Sequence, residues 1–395
     1  MRNRTMTNLV YLSILFIALM LTACDNPQFT VPTSLHATFQ GMRTFCEALD
    51  GDPHFIGDGI EEAFGIDYDD ERMGCQNCHD ASKPDEPDDD VCNNCHGEDT
   101  THTNEIADTN EIAVATCLGC HSRQAKEAEL GVTDVHYSID EPKENCKDCH
   151  SLKEMHGDVA GILHPYQSMW DPGARDTTCL SSGCHDDISE TEHDSIHKGK
   201  LDCSACHLQT VISCYNCHFD TFLDTGVKKN MGAKKDWVFL VNSENGKVRA
   251  GSFQSLVYQN ESFIVFAPFH SHSVAQKEDA RACSECHDND AINELNTEGK
   301  IVVTEWDDET LTHKEGVIPV VDGKLEFAFL DYDSTLETWS LIESTTAPDY
   351  VQYGYCTAIT DSQIAKLALS MGSLKQYIVD NELMDAETLE KLKIE

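Results

Sequence analysis

The sequence predicts short helices and loops packed around covalently attached prosthetic groups, followed by a β-rich C-terminal section and terminal helices. One observation behind this fold class is a motif of two cysteines and an adjoining histidine, which occurs eight times in 395 residues. Seven copies read Cys-x-x-Cys-His, and one is stretched to Cys-x4-Cys-His. The other observation is a change of composition after His218, where aromatic and β-branched residues alternate in strand-like runs.

The motif has the spacing required for covalent attachment of haem c. Two thiols on one turn form thioethers with the two vinyl groups of a porphyrin, and the adjoining imidazole reaches the iron as its fifth ligand. We therefore expect a multihaem cytochrome c fold with about eight haem c groups. The predicted attachment residues are Cys75, Cys78, Cys92, Cys95, Cys117, Cys120, Cys146, Cys149, Cys179, Cys184, Cys203, Cys206, Cys214, Cys217, Cys283 and Cys286. The predicted proximal iron ligands are His79, His96, His121, His150, His185, His207, His218 and His287.

Zinc knuckles, redox dithiols and disulfides are the alternative interpretations of paired cysteines. Zinc ribbons do not require a histidine after each pair, whereas here a histidine follows all eight. The stretched motif keeps a second interpretation, because Cys179 and Cys184 can also form a simple disulfide. Its insert contains Gly183, which lets the chain bulge around a porphyrin.

Eleven of the 19 histidines lie outside the motifs, enough to supply a sixth ligand to every iron. Eight of them lie among the motifs and are the predicted distal ligands: His102, His136, His156, His164, His193, His197, His270 and His272. The spacing of His193 and His197 also suits a zinc pair on one helical face. His36, His54 and His313 stay open as ligands or as hydrogen-bonded histidines.

The N-terminus has the pattern of a bacterial secretion signal. Arg2 and Arg4 precede an apolar stretch at 9–21 that is short for a membrane span. The sequence Leu-Thr-Ala-Cys at 21–24 resembles a lipobox, which implies cleavage before Cys24 and lipid on that cysteine. An uncleaved anchor or an ordinary secreted protein are the alternatives. We expect an exported, lipid-anchored protein on the periplasmic side of a membrane or at the cell surface.

Cysteine count, length and charge add three constraints. With Cys24 assigned to lipid, only Cys46 and Cys356 remain outside the motifs, either as a disulfide or as separate thiols. Cleavage removes 23 of the 395 residues and leaves 372, about 46 for each haem, so the porphyrins themselves must form much of the core. The formal charge of −42 becomes −44 when Arg2 and Arg4 are lost. Such a charge disfavours nucleic acid and favours redox partners with basic surfaces, or simply maintains solubility.

Five segments are predicted. They are a signal peptide at 1–23, an N-terminal segment at 24–66, a seven-haem array at 67–218, a β-rich module with the eighth haem at 219–356, and C-terminal helices at 357–395. Strand patterns occupy 237–241, 255–259, 263–266, 301–306, 317–321 and 325–330. A helical period opens at Asp361 and Ser362 and is predicted to break near Gly372.

Across residues 75–287 the motifs resemble those of multihaem c-type cytochromes of bacterial respiration. By motif count the chain is similar to the octahaem group that includes tetrathionate reductase and hydroxylamine oxidoreductase. That resemblance implies electron transfer, and in those enzymes one catalytic haem with a lysine or an open distal side. This chain has no Cys-x-x-Cys-Lys motif, and its stretched motif looks like a variant from cytochromes of the c3 type.

Three functional hypotheses follow, and no catalytic residue is predicted. The favoured one is electron transfer between a membrane donor and a periplasmic or extracellular acceptor. The second is reduction of a small nitrogen or sulfur oxyanion at one incompletely ligated haem, where one of several lysines serves as a labile ligand. These are Lys126, Lys143, Lys147, Lys153 and Lys198. The third is a conductive filament.

Overall fold

A computed structural model describes residues 34–38, 40–48, 52–73, 113–138, 145–151, 154–155, 166–181, 185, 188, 196–342 and 346–383. The signal peptide with Cys24, the first two motifs at 75–79 and 92–96, and part of the stretched motif lie outside these residues. The single predicted site residues that also lie outside are Cys184, His102, His156, His164 and His193.

The described chain combines short helices with one large sheet. The helices are α1 Leu35–Thr38, α2 Gln40–Glu47, α3 Ile60–Phe64, α4 Val114–Cys120, α5 Ser122–Glu129, α6 Cys203–His207, α7 Phe219–Thr225, α8 Cys283–Cys286, α9 Asp290–Glu298, α10 Asp361–Leu367 and α11 Met371–Asp380. Single 3₁₀ turns are formed by Glu71–Met73, Val135–Tyr137, Cys146–Asp148 and Lys277–Asp279.

The strands are concentrated in the C-terminal half. They are β1 Phe55–Ile56, β2 Ser213–His218, β3 Ala233–Lys234, β4 Trp237–Ser243, β5 Val248–Tyr258, β6 Glu261–Pro268, β7 Ile301–Val302, β8 Thr304–Trp306, β9 Leu311–His313, β10 Gly316–Pro319, β11 Leu325–Glu326, β12 Leu330–Asp333, β13 Thr338–Leu341, β14 Tyr350–Gly354 and β15 Cys356–Thr357. Nine of them form the main sheet, and the others form three two-stranded pairs.

Strand β5 is the centre of the main sheet. Along one edge it pairs antiparallel with β6 from Gly251 to Tyr258. Its other edge is divided, because its first residues pair antiparallel with β4 and its last residues pair parallel with β2. The parallel strand β14 lies beyond β6 and adds β1 at the outer edge. The seventh motif lies in β2, which belongs to this sheet. The sheet therefore extends across the predicted boundary at 218 between the seven-haem array and the β-rich module.

Aromatic side chains fill the core on one face of this sheet. Phe253 is 1% exposed and lies at its centre. Its ring lies 5.0 Å from that of Phe239, 5.3 Å from Trp237, 5.4 Å from Phe327 and 5.8 Å from Phe266, measured between centroids. Edge-to-face and tilted contacts at these distances add to the free energy gained by burial.

Helix α10 covers the apolar side of β4 and β10. Ile364 and Leu367 of α10 pack against Leu240 and Val317. The helix begins after Thr360, whose hydroxyl accepts the backbone N–H of Gln363 in a capping box. The predicted cap at Asp361 or Ser362 was therefore one or two residues too late.

The predicted break near Gly372 is confirmed, although it lies a few residues earlier in the chain. The chain leaves the helix at 368–370, and Ser370 caps α11, so that Gly372 lies within the first turn of the second helix. The hydroxyl of Ser370 accepts the backbone N–H of Ser373 and fixes this new start.

Two structural findings bear on the predictions for the chain as a whole. Cys46 and Cys356 are both buried, and no disulfide joins them to each other. Within the described ranges, no helix is long and apolar enough to cross a membrane.

Replacing Phe253 by Ala tests the importance of the aromatic core. We expect the free energy of unfolding to fall by about 3–5 kcal/mol, because a buried ring is lost and a cavity remains. Guanidinium unfolding followed by far-UV circular dichroism measures it. The matched control is Leu336→Ala, since Leu336 is 69% exposed and its truncation should change stability by less than about 0.5 kcal/mol. Equal shifts in the two variants would contradict this account of the core.

Candidate haem-attachment sites

Three motifs lie on short helices that present both thiols on one side. The cysteines of α4, α6 and α8 are three residues apart, a spacing that places side chains on the same helical face. The histidine follows where the helix ends. The backbone N–H of His121 donates to Cys117 at 2.9 Å, and that of His287 donates to Cys283 at 2.8 Å.

The fourth motif makes the same turn as a 3₁₀ helix. Asn145 and Asp148 form a capping box before Cys146, and the N–H of His150 donates to the carbonyl of Cys146 at 2.9 Å. A shared turn therefore supports four motifs of different composition. In the stretched motif, the structure describes Cys179 and His185.

The seventh motif is different, because it lies in strand β2. Asn216 has a left-handed backbone with φ of 52°. The ladder to β5 is irregular here, so that Cys214 pairs with Gln254 and Cys217 with Leu256. The three residues of advance from Cys214 to Cys217 along β2 thus correspond to only two residues of advance, from Gln254 to Leu256, along β5. Because side chains of a strand alternate with a period of two, this bulge brings both cysteines to the same face.

Three histidines from outside the motifs lie opposite motif histidines. The ring centroids of His36 and His121 are 5.9 Å apart. Those of His136 and His185 are 6.5 Å apart, and those of His197 and His287 are 6.4 Å apart. Each pair joins segments that are distant in sequence or separated by a motif.

These separations fit an iron between the two rings. Each metal–nitrogen bond is about 2 Å, and each ring centre lies about 1 Å beyond its nitrogen, so two axial imidazoles have centroids about 6 Å apart. Rotation of a ring about its metal–nitrogen bond does not alter this distance. Interplanar angles of 17° for His197 with His287 and 73° for His136 with His185 are therefore both compatible.

Hydrogen bonds donated from Nδ1 orient several of the motif histidines. His207 donates to the carbonyl of Ala275 at 3.2 Å, and His287 donates to that of Lys366 at 2.9 Å. A donor at Nδ1 leaves Nε2 unprotonated in the neutral ring, as a metal ligand requires. The backbone of the β-rich half thus fixes two motif histidines.

Buried carboxylates have the same role at two other imidazoles. His150 donates from Nδ1 to Glu154 at 2.6 Å, and His136 donates to Asp134 at 2.6 Å. Burial alone would raise the pKa of Glu154, but hydrogen bonds from His150 and Thr177 outweigh it and lower that pKa to about 2. The ionised carboxylate is therefore stable in its buried position and holds the ring of His150.

The other described histidines have varied surroundings. His272 donates from Nδ1 to Glu127 at 3.0 Å and stacks on Tyr137 at 6.5 Å between centroids. The Nε2 of His270 accepts a hydrogen bond from the guanidinium of Arg249. Burial, followed by the charge of Arg249, lowers the pKa of His270 to about 3, so this ring is neutral. Both histidines stay predicted ligands.

Of the three histidines that the sequence left open, only His36 faces a motif histidine among the described residues. Nδ1 of His54 lies 2.6 Å from Oε1 of Glu244, and its ring stacks on that of Tyr355 with centroids 4.7 Å apart. His313 donates from Nε2 to the carbonyl of Lys235 at 2.9 Å. No local pattern around His36 distinguishes it, because its partner lies 85 residues further along the chain.

Two arginines bring positive charge close to the fifth and sixth motifs. Arg175 and Arg249 lie on Trp170, with guanidinium carbons 4.8 and 4.6 Å from the ring centroid. Burial lowers the pKa of both, and both interact electrostatically with Cys179. In a chain of charge −42, buried cations at this position suit the propionates of a haem.

Cysteines of different motifs also lie together. The side chains of Cys117 and Cys146 hydrogen-bond to each other, as do those of Cys179 and Cys203. Cys206 and Cys286 are close enough to interact electrostatically. These contacts bring the third motif beside the fourth, the fifth beside the sixth, and the sixth beside the eighth.

Within the described parts of the chain, no group of three or more His, Cys, Asp or Glu side chains forms a metal site. A haem iron needs only one or two protein ligands, which is the arrangement of the histidine pairs. The chain matches no protein-family model, no curated protein and no solved structure.

Proposed function

We propose that this chain is an exported, lipid-anchored octahaem c-type cytochrome. It transfers electrons between a membrane donor and a periplasmic or extracellular acceptor, and lipid on Cys24 holds it at the membrane. Haem c, when bound, supplies a one-electron redox centre at each motif. The cysteines attach it, and the histidines ligate its iron.

The observation that carries the proposal is the set of three histidine pairs. In each of the three pairs a histidine from outside the motifs faces a motif histidine at a separation that two ligands of one iron would have. Two axial imidazoles fill the coordination of an iron, which favours electron transfer over binding of a substrate. His36, His136 and His197 are thus assigned as distal ligands for His121, His185 and His287.

The cysteine contacts between motifs support electron transfer along the chain. Attachment of haems at neighbouring thiols brings their porphyrin edges close, as exchange between centres requires. Tyr137 provides a further link, because it follows the distal ligand His136 and interacts with Cys146 and Cys149 of the fourth motif. The third, fourth, fifth, sixth and eighth sites then form a continuous series.

The acidic surface favours partners with basic surfaces and excludes nucleic acid. A formal charge of −42 produces a field that raises the encounter rate with cationic redox proteins and lowers it with polyanions. We therefore expect electron exchange with such partners to slow as ionic strength increases.

Denaturing mass spectrometry of the mature chain tests the number of haems. Thioether bonds survive unfolding, so we expect the mass of eight porphyrins. The variant Cys184→Ala should carry one porphyrin fewer or fail to mature, because it disables the stretched motif. A disulfide at this site would instead change the mass by two hydrogens, and seven porphyrins in the unsubstituted protein would refute the octahaem assignment.

Substitution of a distal ligand tests the histidine pairs. His197→Ala should produce one more high-spin haem per chain than the unsubstituted protein, because it opens the sixth position opposite His287. Electron paramagnetic resonance of the oxidised protein measures the change, and His36→Ala should behave alike.

His313→Ala is the matched control for this experiment. His313 donates to a backbone carbonyl, and its ring centroid lies 4.8 Å from that of Trp237. Because it faces no motif histidine, its removal should leave the spin states of the haems unchanged. Mass spectrometry should find the same haem number in all three variants. An unaltered spectrum for both His36→Ala and His197→Ala would refute the assignment.

A further inference from the structure

Two buried carboxylates accept hydrogen bonds from predicted iron ligands. The side chain of Glu154 is 5% exposed and that of Asp134 is 3% exposed. Nδ1 of His150 donates to Oε2 of Glu154 at 2.6 Å, and Nδ1 of His136 donates to Oδ1 of Asp134 at 2.6 Å. Because a carboxylate is an acceptor only, the proton lies on Nδ1 and leaves Nε2 of each neutral ring unprotonated. Both imidazoles therefore fit an iron at Nε2.

Three N–H groups donate to the carboxylate of Glu154. Oε1 accepts the backbone N–H groups of Asp176 at 2.8 Å and Thr177 at 2.5 Å, while Oε2 accepts from His150. This set of donors suits a carboxylate anion and fixes it in one orientation. A full negative charge is thus held against the ring of His150.

The histidines of the sixth and eighth motifs donate to neutral groups instead. Nδ1 of His207 lies 3.2 Å from the carbonyl oxygen of Ala275, and Nδ1 of His287 lies 2.9 Å from that of Lys366. Both bonds are longer than the 2.6 Å bond of His150. Hydrogen bonds to an ionised partner are shorter and roughly twice as strong as those between neutral groups. The fourth motif therefore differs from the sixth and eighth in the charge that faces Nδ1.

The charge at Nδ1 changes how readily the iron accepts an electron. A carboxylate attracts the Nδ1 proton and so makes the imidazole a more basic ligand. A more basic ligand and a nearby negative charge both stabilise oxidised iron, which has one positive charge more than reduced iron. Removal of the carboxylate from water strengthens its effect. A haem ligated by His150 is therefore harder to reduce than one whose histidine donates to a peptide carbonyl.

Cations near the fifth motif oppose the same effect there. Asp134 acts on the distal ligand of this site, whereas Arg175 and Arg249 interact electrostatically with Cys179. Positive charge stabilises reduced iron. Arg175 also interacts with Glu154, but the ion pair that this carboxylate forms within the described residues is with the motif histidine. The negative charge at the fourth motif is thus opposed less than that at the fifth.

We propose that Glu154 is a positioning residue that gives the haem at the Cys146–His150 motif a lower reduction potential than the haems at the sixth and eighth motifs. This inference rests on the proposed function, because it requires haem attachment at these motifs. Cysteine contacts place the fifth motif beside the sixth and the sixth beside the eighth, and Tyr137 links the fourth to the fifth. Potentials that increase along this series direct electrons from the fourth site toward the eighth.

Replacement of Glu154 by Gln tests this role. The variant Glu154→Gln removes the charge at Nδ1 and keeps the size of the side chain. We expect the equilibrium constant for reduction of one haem to increase about tenfold, which is about 59 mV for a one-electron couple. Spectroelectrochemical titration of the holoprotein should show one haem moving from the low-potential end of the curve to more positive potentials. Mass spectrometry and electron paramagnetic resonance should find the haem number and the low-spin content unchanged.

The matched control is Asp148→Asn, which removes the same formal charge from the same motif. Asp148 is exposed, and its side chain accepts the backbone N–H of Asn145, a bond that an asparagine oxygen retains. Because this side chain does not contact Nδ1 of His150, the titration curve should stay as in the unsubstituted protein. An equal shift in both variants would overturn the inference, since charge alone would then explain it.

Three other results would also overturn the inference. One is an unshifted curve for a Glu154→Gln protein with eight haems, and another is a shift confined to the high-potential end; both leave electron transfer intact. If Glu154→Gln does not mature, Asp134→Asn decides, because it should raise the potential of one haem, and an unshifted curve would refute the role of the buried carboxylates. A peptide containing Cys146 and Cys149 without a haem would refute attachment at this motif, and the inference with it.

Discussion

The pairing of β2 with β5 is the interaction on which the rest of the structure depends. It joins a Cys-x-x-Cys-His motif directly to the strand that carries Phe253 at the centre of the aromatic core. On its other edge the same strand pairs with β6, which in turn pairs with β14. Since the ladder is cooperative, displacement of β2 would disturb the motif and the core together.

Sequence patterns predict this protein unevenly, and the reason is physical. The spacing of the motif reflects local chemistry, so attachment thiols and a proximal histidine can be predicted without a structure. The spacing does not determine backbone conformation. Cys203–His207 is a helix, while Cys214–His218 has the same spacing and is a strand. Burial of Tyr215 and the left-handed turn at Asn216 depend on β5 and β12, which lie far away in the sequence.

Distal partners are harder to predict because they are defined by tertiary structure alone. No sequence pattern distinguishes His36 from His313. His36 nevertheless faces a motif histidine, whereas His313 donates to a backbone carbonyl. The strands at 237–241 and 263–266 were easier to predict, because each run of apolar residues coincides with a buried strand. The cap at Thr360 was missed because two further polar residues follow it and compete for the same role.

Strand β1 closes a loop that spans all eight motifs of the sequence. Phe55 pairs with Gly354, which is 299 residues further along the chain, and all eight motifs lie between these two points of the sequence. In the proposed export from the N-terminus, every one of these motifs would be outside the cytoplasm before this contact can form. Maturation enzymes would then meet an open polypeptide, and the final closure of the loop would restrict a segment that already carries the proposed haems.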